Sequence, residues 1–348
     1  EISKGSNRMK IRVIVPCYNE GEVVLKTYER LTEIMLKDSN EKNYDYDLLF
    51  IDDGSKDSTI QHIQQLSLED KHVKFISFSR NFGKESAMIA GFHHSVDVDA
   101  VIMIDGDLQH PPEFIPNMID GYLEGYDQVI AQRDREGEQL SRKIVTKMYY
   151  KLINAFVEDV QFVDGVGDFR LLSQRAVCAI AELQENNRFS KGLFAWIGYN
   201  TKVFLYKNVE REAGQSKWNF RKLFNYGIDG LISFNSKPLR TMIYFGLFIF
   251  AISLIYIIYL SIGIIVNGIS NPGYFTTIAA ILLLGGIQLI SIGVVGEYIG
   301  RIYYEVKQRP KYIVQASNLT YENGHSPNAY QCNINHEHTV KDKEKEHI

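Results

Sequence analysis

Apolar and polar positions follow two alternating rhythms along the first third of the chain. Short runs rich in β-branched residues occur at 11–16 (IRVIVP), 47–52 (DLLFID), 73–78 (VKFISF), 100–105 (AVIMID) and 128–131 (QVIA). Runs of this kind predict buried strands. Between them, 20–37, 57–67, 84–95 and 113–124 carry apolar residues at helical spacing. Repeated β-α alternation predicts an α/β fold, with a parallel or mostly parallel sheet covered on both faces.

Beyond Ala131 the rhythm changes. In the stretch 138–206, Lys143, Lys147 and Lys151 recur every four residues, while Ile144, Met148 and Leu152 fill another face. The spacing predicts a basic amphipathic helix, suited either to an anionic membrane surface or to packing on the domain. A second such segment, 218–240, sets Arg221 and Lys222 beside Leu223, Phe224 and Tyr226. It is expected to lie in the interface. Two uncharged runs follow, 25 residues at 242–266 and 22 at 275–296. At about 1.5 Å rise per residue each is long enough for a hydrocarbon core of about 30 Å. Lys237 and Arg240 precede the first run, and Arg301, Lys307, Arg309 and Lys311 follow the second. That bias predicts a membrane hairpin with both flanks cytoplasmic, hence a multi-pass protein of the plasma membrane.

The domain boundaries expected from this pattern are a catalytic domain at 9–217, an interfacial helix at 218–240 and two transmembrane helices at 241–300. A cytoplasmic basic segment at 301–315 and a disordered tail at 316–348 would complete the chain. Residues 1–8 read as a remnant of expression ahead of a natural start at Met9.

Composition narrows the function classes. A net charge of −4 over 348 residues, with no strongly basic block, gives no reason to propose a nucleic-acid partner. Cys17, Cys178 and Cys332 have neither metal-ligand nor disulfide spacing and are expected as reduced thiols. No Walker loop and no Gly-x-Gly-x-x-Gly is present, so neither a P-loop ATPase nor a dinucleotide enzyme is indicated.

The chemistry-bearing residues fall where the expected strands end, which is where open α/β sheets gather ligands. The first strand runs into Pro16-Cys-Tyr-Asn-Glu20, and the second into Asp52-Asp-Gly-Ser, with Gly54 permitting a tight turn. Acids there can accept hydrogen bonds from a base or from ribose hydroxyls. The third strand ends near Arg80-Asn-Phe-Gly-Lys84, which supplies cations for phosphate. The fourth ends in Asp105-Gly-Asp107-Leu-Gln109-His-Pro-Pro-Glu113. Two carboxylates and an amide oxygen are hard ligands, suited to Mg²⁺ or Mn²⁺ holding a diphosphate.

The series PCYNE, DDGS, RNFGK and DGDLQHPPE resembles family 2 glycosyltransferases of the GT-A fold. More narrowly it resembles the polyprenyl-phosphate group, which includes dolichol-phosphate mannose synthase and the bactoprenol-phosphate glucosyl- and N-acetylglucosaminyltransferases. The similarity covers about Lys10 to Lys311. It implies that Pro16, Tyr18, Glu20, Asp52 and Asp53 hold the nucleotide, with Lys84 and Asp105 beside it. It implies that Asp105, Asp107 and Gln109 bind the divalent ion and diphosphate, and that Arg133 lies near the phosphates with a catalytic part. Gly165-Val-Gly-Asp168-Phe-Arg170-Leu is similar to the segment lining the acceptor site, with Asp168 as candidate base and Arg170 beside it. Gln215-Ser216-Lys217-Trp resembles an element serving the lipid phosphate, which makes Lys217 a further catalytic candidate.

The resemblance thus implies a UDP-sugar donor, a polyprenyl phosphate acceptor, a lipid bilayer partner and a homo-oligomer, plausibly a tetramer. An acceptor monophosphate, with a second pKa of about 6, is already largely dianionic at neutral pH. The demand on the protein is then chiefly electrostatic, and Asp168 is open to an orienting role. Two other readings stay open at this point. A processive polysaccharide synthase shares the core, but the Gln-x-x-Arg-Trp element of that group is absent. A non-catalytic membrane scaffold would have no need of the full set of charged strand-end residues.

Overall fold

The computed structural model describes residues 8–134, 166–183, 185, 190–207 and 273–319, with short helical pieces between 244 and 266. The strands are β1 (Lys10–Cys17), β2 (Asp45–Asp52), β3 (Val73–Phe78), β4 (Ala100–Met103), β5 (Gln128–Asp134), β6 (Val166–Ser173), β7 (Thr201–Lys207) and β8 (Val314–Ser317). The helices are α1 (Val24–Lys42), α2 (Thr59–Glu69), α3 (Lys84–His93), α4 (Ile115–Leu123), α5 (Gln174–Glu182), α6 (Ser190–Trp196) and α7 (Tyr274–Lys307). Every expected strand of the first domain is present: β1 and β2 are two residues longer than the expected run and β5 three longer, β3 matches it, and β4 stops two residues short.

The strands form one sheet in the order β7-β5-β6-β4-β1-β2-β3-β8. Its centre, β4-β1-β2-β3, is parallel, with Ile11 opposite both Tyr46 and Ala100. Both faces of these strands are covered, so their side chains divide between two cores. Val13 and Val15 pack with Leu31 and Met35 of α1, Ile63 of α2 and Met118 of α4. Ile14, Ile51 and Ile76 pack with α3, and also with Val177 of α5 and Leu193 of α6. That two-sided burial is why β1 reads as a continuous apolar run rather than an alternating one.

Three features differ from the expectation. The sheet is mixed, because β6 lies antiparallel between β4 and β5, and β8 is antiparallel to β3. In β6, Val166–Ser173, the apolar run is interrupted by Gly167, Asp168 and Arg170, so its strand character is concealed in sequence. Of the tail expected to lack order over 316–348, Ala316 and Ser317 belong instead to β8 on the open edge of β3, and residues 320–348 lie outside the described residues. Asn318 closes that edge by accepting from the Phe75 backbone N–H at 2.7 Å and donating to the Val73 carbonyl at 3.0 Å. A four-residue strand is too short to leave a periodic signature. Finally, Cys17 is a free buried thiol as expected, but Cys178 is disulfide-bonded. Spacing along the chain carried no sign of that pairing.

Among the described residues one helix, at Leu283–Lys307, is long and apolar enough to cross a membrane, and none of it is buried within the chain. It belongs to α7, which runs eleven residues past the uncharged stretch to Lys307. Arg301 reaches Glu297 one turn back at 3.4 Å, and Lys307 sits at the carboxyl end, where a cation suits the helix dipole. The expected basic segment 301–315 is therefore two turns of helix, a short link and the start of β8. Within the link, Tyr312 is buried, stacked on Phe78 with ring centroids 5.1 Å apart and its hydroxyl 3.1 Å from His93 Nδ1. This residue fixes the exit of the long helix to the sheet domain. The basic helix expected around 143–156 and the interfacial segment 218–240 lie outside the described residues, as does most of the expected first span.

Candidate active site

A cleft of about 330 Å³ opens at the carboxyl ends of β1, β2 and β4. Its walls include Pro16, Tyr18, Glu20, Asp53, Lys84, Asp105 and Asp107. Seven of the residues singled out in sequence thus come together, from four separate segments.

Interlocked turns hold them. Asn19, in the left-handed conformation at φ 53°, donates from its backbone to Ser55 Oγ at 2.9 Å, and its side-chain oxygen accepts from the Lys56 backbone at 2.9 Å. Glu20 and Gly21 donate from their backbone N–H groups to Thr59 Oγ1 and Asp57 Oδ2. The first two strand-end turns therefore form one unit. Gly54, at φ +66°, lies so close to the third that a Cβ there would stand 2.3 Å from the carbonyl carbon of Arg80. Asp53 makes that junction polar, accepting from the backbone N–H of Phe82 at 2.7 Å and of Gly83 at 2.9 Å. Burial pushes the Asp53 carboxyl above its ordinary pKa, against the pull of those two donors. Asp52 is placed differently. It is 1 % exposed, outside the cleft lining, and accepts from Ser77 Oγ at 2.7 Å and the Ser55 backbone at 3.0 Å. Its carboxylate braces the turn, while Asp53 faces the cleft.

The acidic turn after β4 is pinned from behind. Thr27 Oγ1 in α1 donates to the Gly106 carbonyl at 2.9 Å, and a Cβ on Gly106 would lie 3.2 Å from Cys17 Sγ. Leu108 takes φ 55° within the turn, a conformation few non-glycine residues adopt and one that recurs at functional sites. Gln109 donates from its backbone to Asp107 Oδ1 at 3.1 Å, and its side-chain amide donates to Oδ2 of the same carboxylate.

Lys84, the first residue of α3, ties the two sides together. Its ammonium lies 2.7 Å from Asp105 Oδ1 and 2.6 Å from Asp168 Oδ2 in β6. Burial works against its charge, but the carboxylates of Asp168 and Asp105 outweigh it and hold the lysine pKa well above the ordinary value. Burial likewise pushes Asp105 up, but its hydrogen bond to His110 and the charge of Lys84 hold the carboxyl well below the usual range. His110 Nε2 lies 3.5 Å from Asp105 Oδ2, and its Nδ1 is 3.0 Å from the hydroxyl of the buried Tyr206 in β7. His110 and Tyr206 received no role from sequence. His110 stands inside the quoted motif and could have been found there, whereas Tyr206 is brought in only by the pairing of β7 with β5.

Several expectations fall elsewhere. Arg170, expected at the acceptor phosphate, is 2 % exposed, with its guanidinium 3.7 Å from the ring centroid of Phe194 and one N–H donating to the Gly167 carbonyl. Desolvation lowers its pKa to about 10. Alternation along β6 explains this: Asp168 and Arg170 share a face, but Asp168 lies at the open strand end and Arg170 one step into the core. Arg133 lies in β5 opposite Tyr206, and its side chain is outside the described residues. Ser216 and Lys217 are also outside them.

Among the described residues no group of three or more His, Cys, Asp or Glu side chains gathers as a metal centre. Asp105 and Asp107 share one cleft as hard, acidic oxygen donors. That set fits an ion such as Mg²⁺, which is held by one or two carboxylates and completes its shell with substrate phosphates and water.

Charged strand-end turns around one cleft, with a membrane-length helix downstream, match the comparison with known families. The glycosyl transferase family 2 model covers residues 12–180, and the GtrB C-terminal hairpin model covers 237–302. "Putative glycosyltransferase CsbB" of Bacillus subtilis (strain 168) is 55% identical over 309 residues, spanning 89% of this chain and 92% of the relative. The chain belongs to glycosyl transferase family 2. It is a glycosyltransferase with a GT-A-like sheet and a C-terminal hairpin of the GtrB type. The SfII prophage-derived bactoprenol glucosyl transferase of Shigella flexneri is 44% identical over 310 residues, covering 89% of this chain and 98% of that one. The prophage bactoprenol glucosyl transferase homolog of Escherichia coli (strain K12) is 41% identical over 308 residues, covering 88% and 99%.

Proposed function

We propose that this glycosyltransferase moves a sugar, glucose or N-acetylglucosamine, from a UDP-sugar to undecaprenyl phosphate or a similar polyprenyl phosphate. The reaction occurs at the cytoplasmic face of the cell membrane, in a multi-pass homo-oligomer, plausibly a tetramer, and supplies a lipid-linked sugar for the cell envelope. The observation that carries the reading is the pair of contacts made by Lys84, which joins Asp105 of the cleft to Asp168 near the start of β6. Relatives named as bactoprenol glucosyl transferases along nearly their whole length support the acceptor and favour glucose.

The donor's base and ribose would sit against Pro16, Tyr18, Glu20 and Asp53, with Asp52 stiffening the turn beneath. Its diphosphate would lie over Asp105 and Asp107, with Gln109 orienting the Asp107 carboxylate. A bound Mg²⁺ or Mn²⁺ would serve there as a Lewis acid toward the leaving UDP. Lys84 offsets part of the negative charge that gathers when diphosphate and lipid phosphate meet, a task shared by Arg133, Ser216 and Lys217.

The acceptor oxygen is a competent nucleophile without a strong base, since its second ionisation lies near ~6. Asp168, already engaged by an ammonium, therefore acts as an orienting group: it holds Lys84 where donor and acceptor charges converge. Single displacement inverts the anomeric centre, so an α-linked donor gives a β-linked lipid phosphate. Transfer from labelled UDP-glucose and UDP-N-acetylglucosamine to undecaprenyl phosphate, with Asp107→Ala as control, tests the proposal. Product above the control supports it, and proton couplings of the product read the stereochemistry. No transfer from either donor would sink it.

A further inference from the structure

The burial of Arg170 leaves the acceptor phosphate short of one expected cation. A second cleft answers to that need. It lies on the far side of the Arg80–Glu85 segment, between α3 and the last turns of α7, with a volume of about 590 Å³. Five cations line it: Arg80, Arg301, Lys307, Arg309 and Lys311. Only two carboxylates oppose them, Glu85 and Glu297. Both are engaged, Glu85 accepting from Ser190 Oγ in α6 and Glu297 paired with Arg301 at 3.4 Å. The concentration of positive charge is local, since the chain as a whole carries −4.

Placement and wall chemistry narrow the ligand. Glu297, Gly300, Arg301, Tyr304 and Lys307 recur at helical spacing, so one face of α7 forms a wall of the cleft where the membrane-length helix turns polar. A chain lying along that face would meet the cleft at the polar end of the helix. Phe82, Ile89 and Tyr304 add an apolar side, so the cleft offers cations for a phosphate and hydrocarbon contact for the first units of a chain. The Arg80–Glu85 segment is also shared with the donor cleft. Arg80, Phe82 and Glu85 face the basic cleft, while Asn81, Gly83 and Lys84 face the donor side. Asp53 holds that segment by its backbone at Phe82 and Gly83.

We propose that this cleft receives the phosphate head group of the acceptor lipid, a long-chain polyprenyl monophosphate, and delivers it across the Arg80–Glu85 wall to the donor. The inference rests on the polyprenyl phosphate reading above and adds the place of entry.

The test uses the full-length protein in detergent and in vesicles, with Lys307→Gln and Arg309→Gln combined, both exposed at the end of α7. Steady-state rates are measured against undecaprenyl phosphate and, separately, against the UDP-sugar. Loss of charge-assisted contacts at a phosphate is expected to raise the acceptor KM by roughly tenfold or more, with the donor KM unchanged. The pair Lys307→Arg and Arg309→Lys, which keeps the charge, should recover most of the affinity. An unchanged acceptor KM in a variant with normal donor KM would overturn the proposal. So would a defect seen in phosphatidylglycerol vesicles and absent in detergent and phosphatidylcholine, since the cleft would then serve bulk anionic lipid. If wild-type protein transfers sugar to no polyprenyl phosphate, the parent reading fails first. Binding of labelled undecaprenyl phosphate to wild type and variant without donor then judges the cleft alone, and equal binding would dismiss it.

Discussion

The ammonium of Lys84 lies 2.6 Å from the carboxylate of Asp168, a contact between α3 and β6 across 84 positions of sequence. Because Lys84 also meets Asp105, three charged groups from three segments form one chain at the edge of the cleft. On the proposed donor placement, removing the lysine would leave two carboxylates facing a diphosphate. Lys84→Ala is therefore expected to lower kcat by about 10²–10³-fold, the range for losing one preorganised charge-stabilising group. Lys84→Arg should retain part of the activity. Transfer assays on membranes with matched protein levels check this, and near-normal turnover in Lys84→Ala would remove the triad from the mechanism.

Asp168 is expected to position rather than to take a proton. With a nucleophile that ionises near ~6, the acid limb of the rate profile belongs to the acceptor phosphate. Asp168→Asn should lower the rate while leaving that limb where it is. A limb that disappears or moves in the variant, in assays of kcat/KM against pH, would instead make Asp168 the base.

Metal dependence should trace to the acidic turn. Chelation is expected to abolish transfer, and added Mg²⁺ or Mn²⁺ to restore it. Asp107→Ala should need far more metal for half-maximal rate than wild type, because a weakly held ion depends on each of its few carboxylates. Metal titrations at fixed UDP-sugar measure the difference. Identical titration curves would place the ion elsewhere.

What could be read from sequence, and what could not, divides along physical lines. β1 to β5 were legible because each is an apolar run ending in turn residues, and the gathering of Tyr18, Glu20, Asp53, Asp105 and Asp107 around one cleft was legible because open α/β sheets form their clefts at those strand ends. β6 and β8 were not, because a polar half-strand and a four-residue edge strand borrow their order from neighbours. Which of two adjacent acids faces the cleft, Asp52 or Asp53, depends on the direction of a turn that composition does not encode. The burial of Arg170 was hidden for the same reason: its type suits phosphate, but its place on the strand turns it onto Phe194.

Tyr312 is expected to couple the long helix to the sheet. Its ring is buried against Phe78 and its hydroxyl reaches His93. Tyr312→Ala should cost about 3–5 kcal/mol in the stability of the domain, as large buried aromatics do, and Tyr312→Phe only about 1 kcal/mol for the hydrogen bond. Thermal unfolding of the detergent-solubilised protein, followed by near-ultraviolet dichroism, separates the two. A Tyr312→Ala protein as stable as wild type would show that the helix exit is held by other contacts.

Toward the amino ends of the central strands, Arg12 and Asp47 form a bidentate pair across β1 and β2, at 2.6 and 2.8 Å, with both side chains nearly inaccessible. Burial raises the Asp47 carboxyl, but the hydrogen bonds and charge of Arg12, with Lys10 assisting, outweigh it and leave the pKa below the ordinary value. A folded-state pKa below the unfolded one of about 3.9 has a definite sign. The stabilisation is fully present above roughly pH 5 and is lost as pH falls through the folded value. Asp47→Asn should therefore flatten the acid limb of stability, in urea unfolding followed between neutral pH and about pH 3. At neutral pH Asp47→Ala should cost about 3–5 kcal/mol, since Arg12 would be left as a buried charge without its main partner. A double variant with both residues apolar should recover much of that loss. An Asp47→Asn protein whose acid limb matches wild type would assign acid unfolding to other carboxylates.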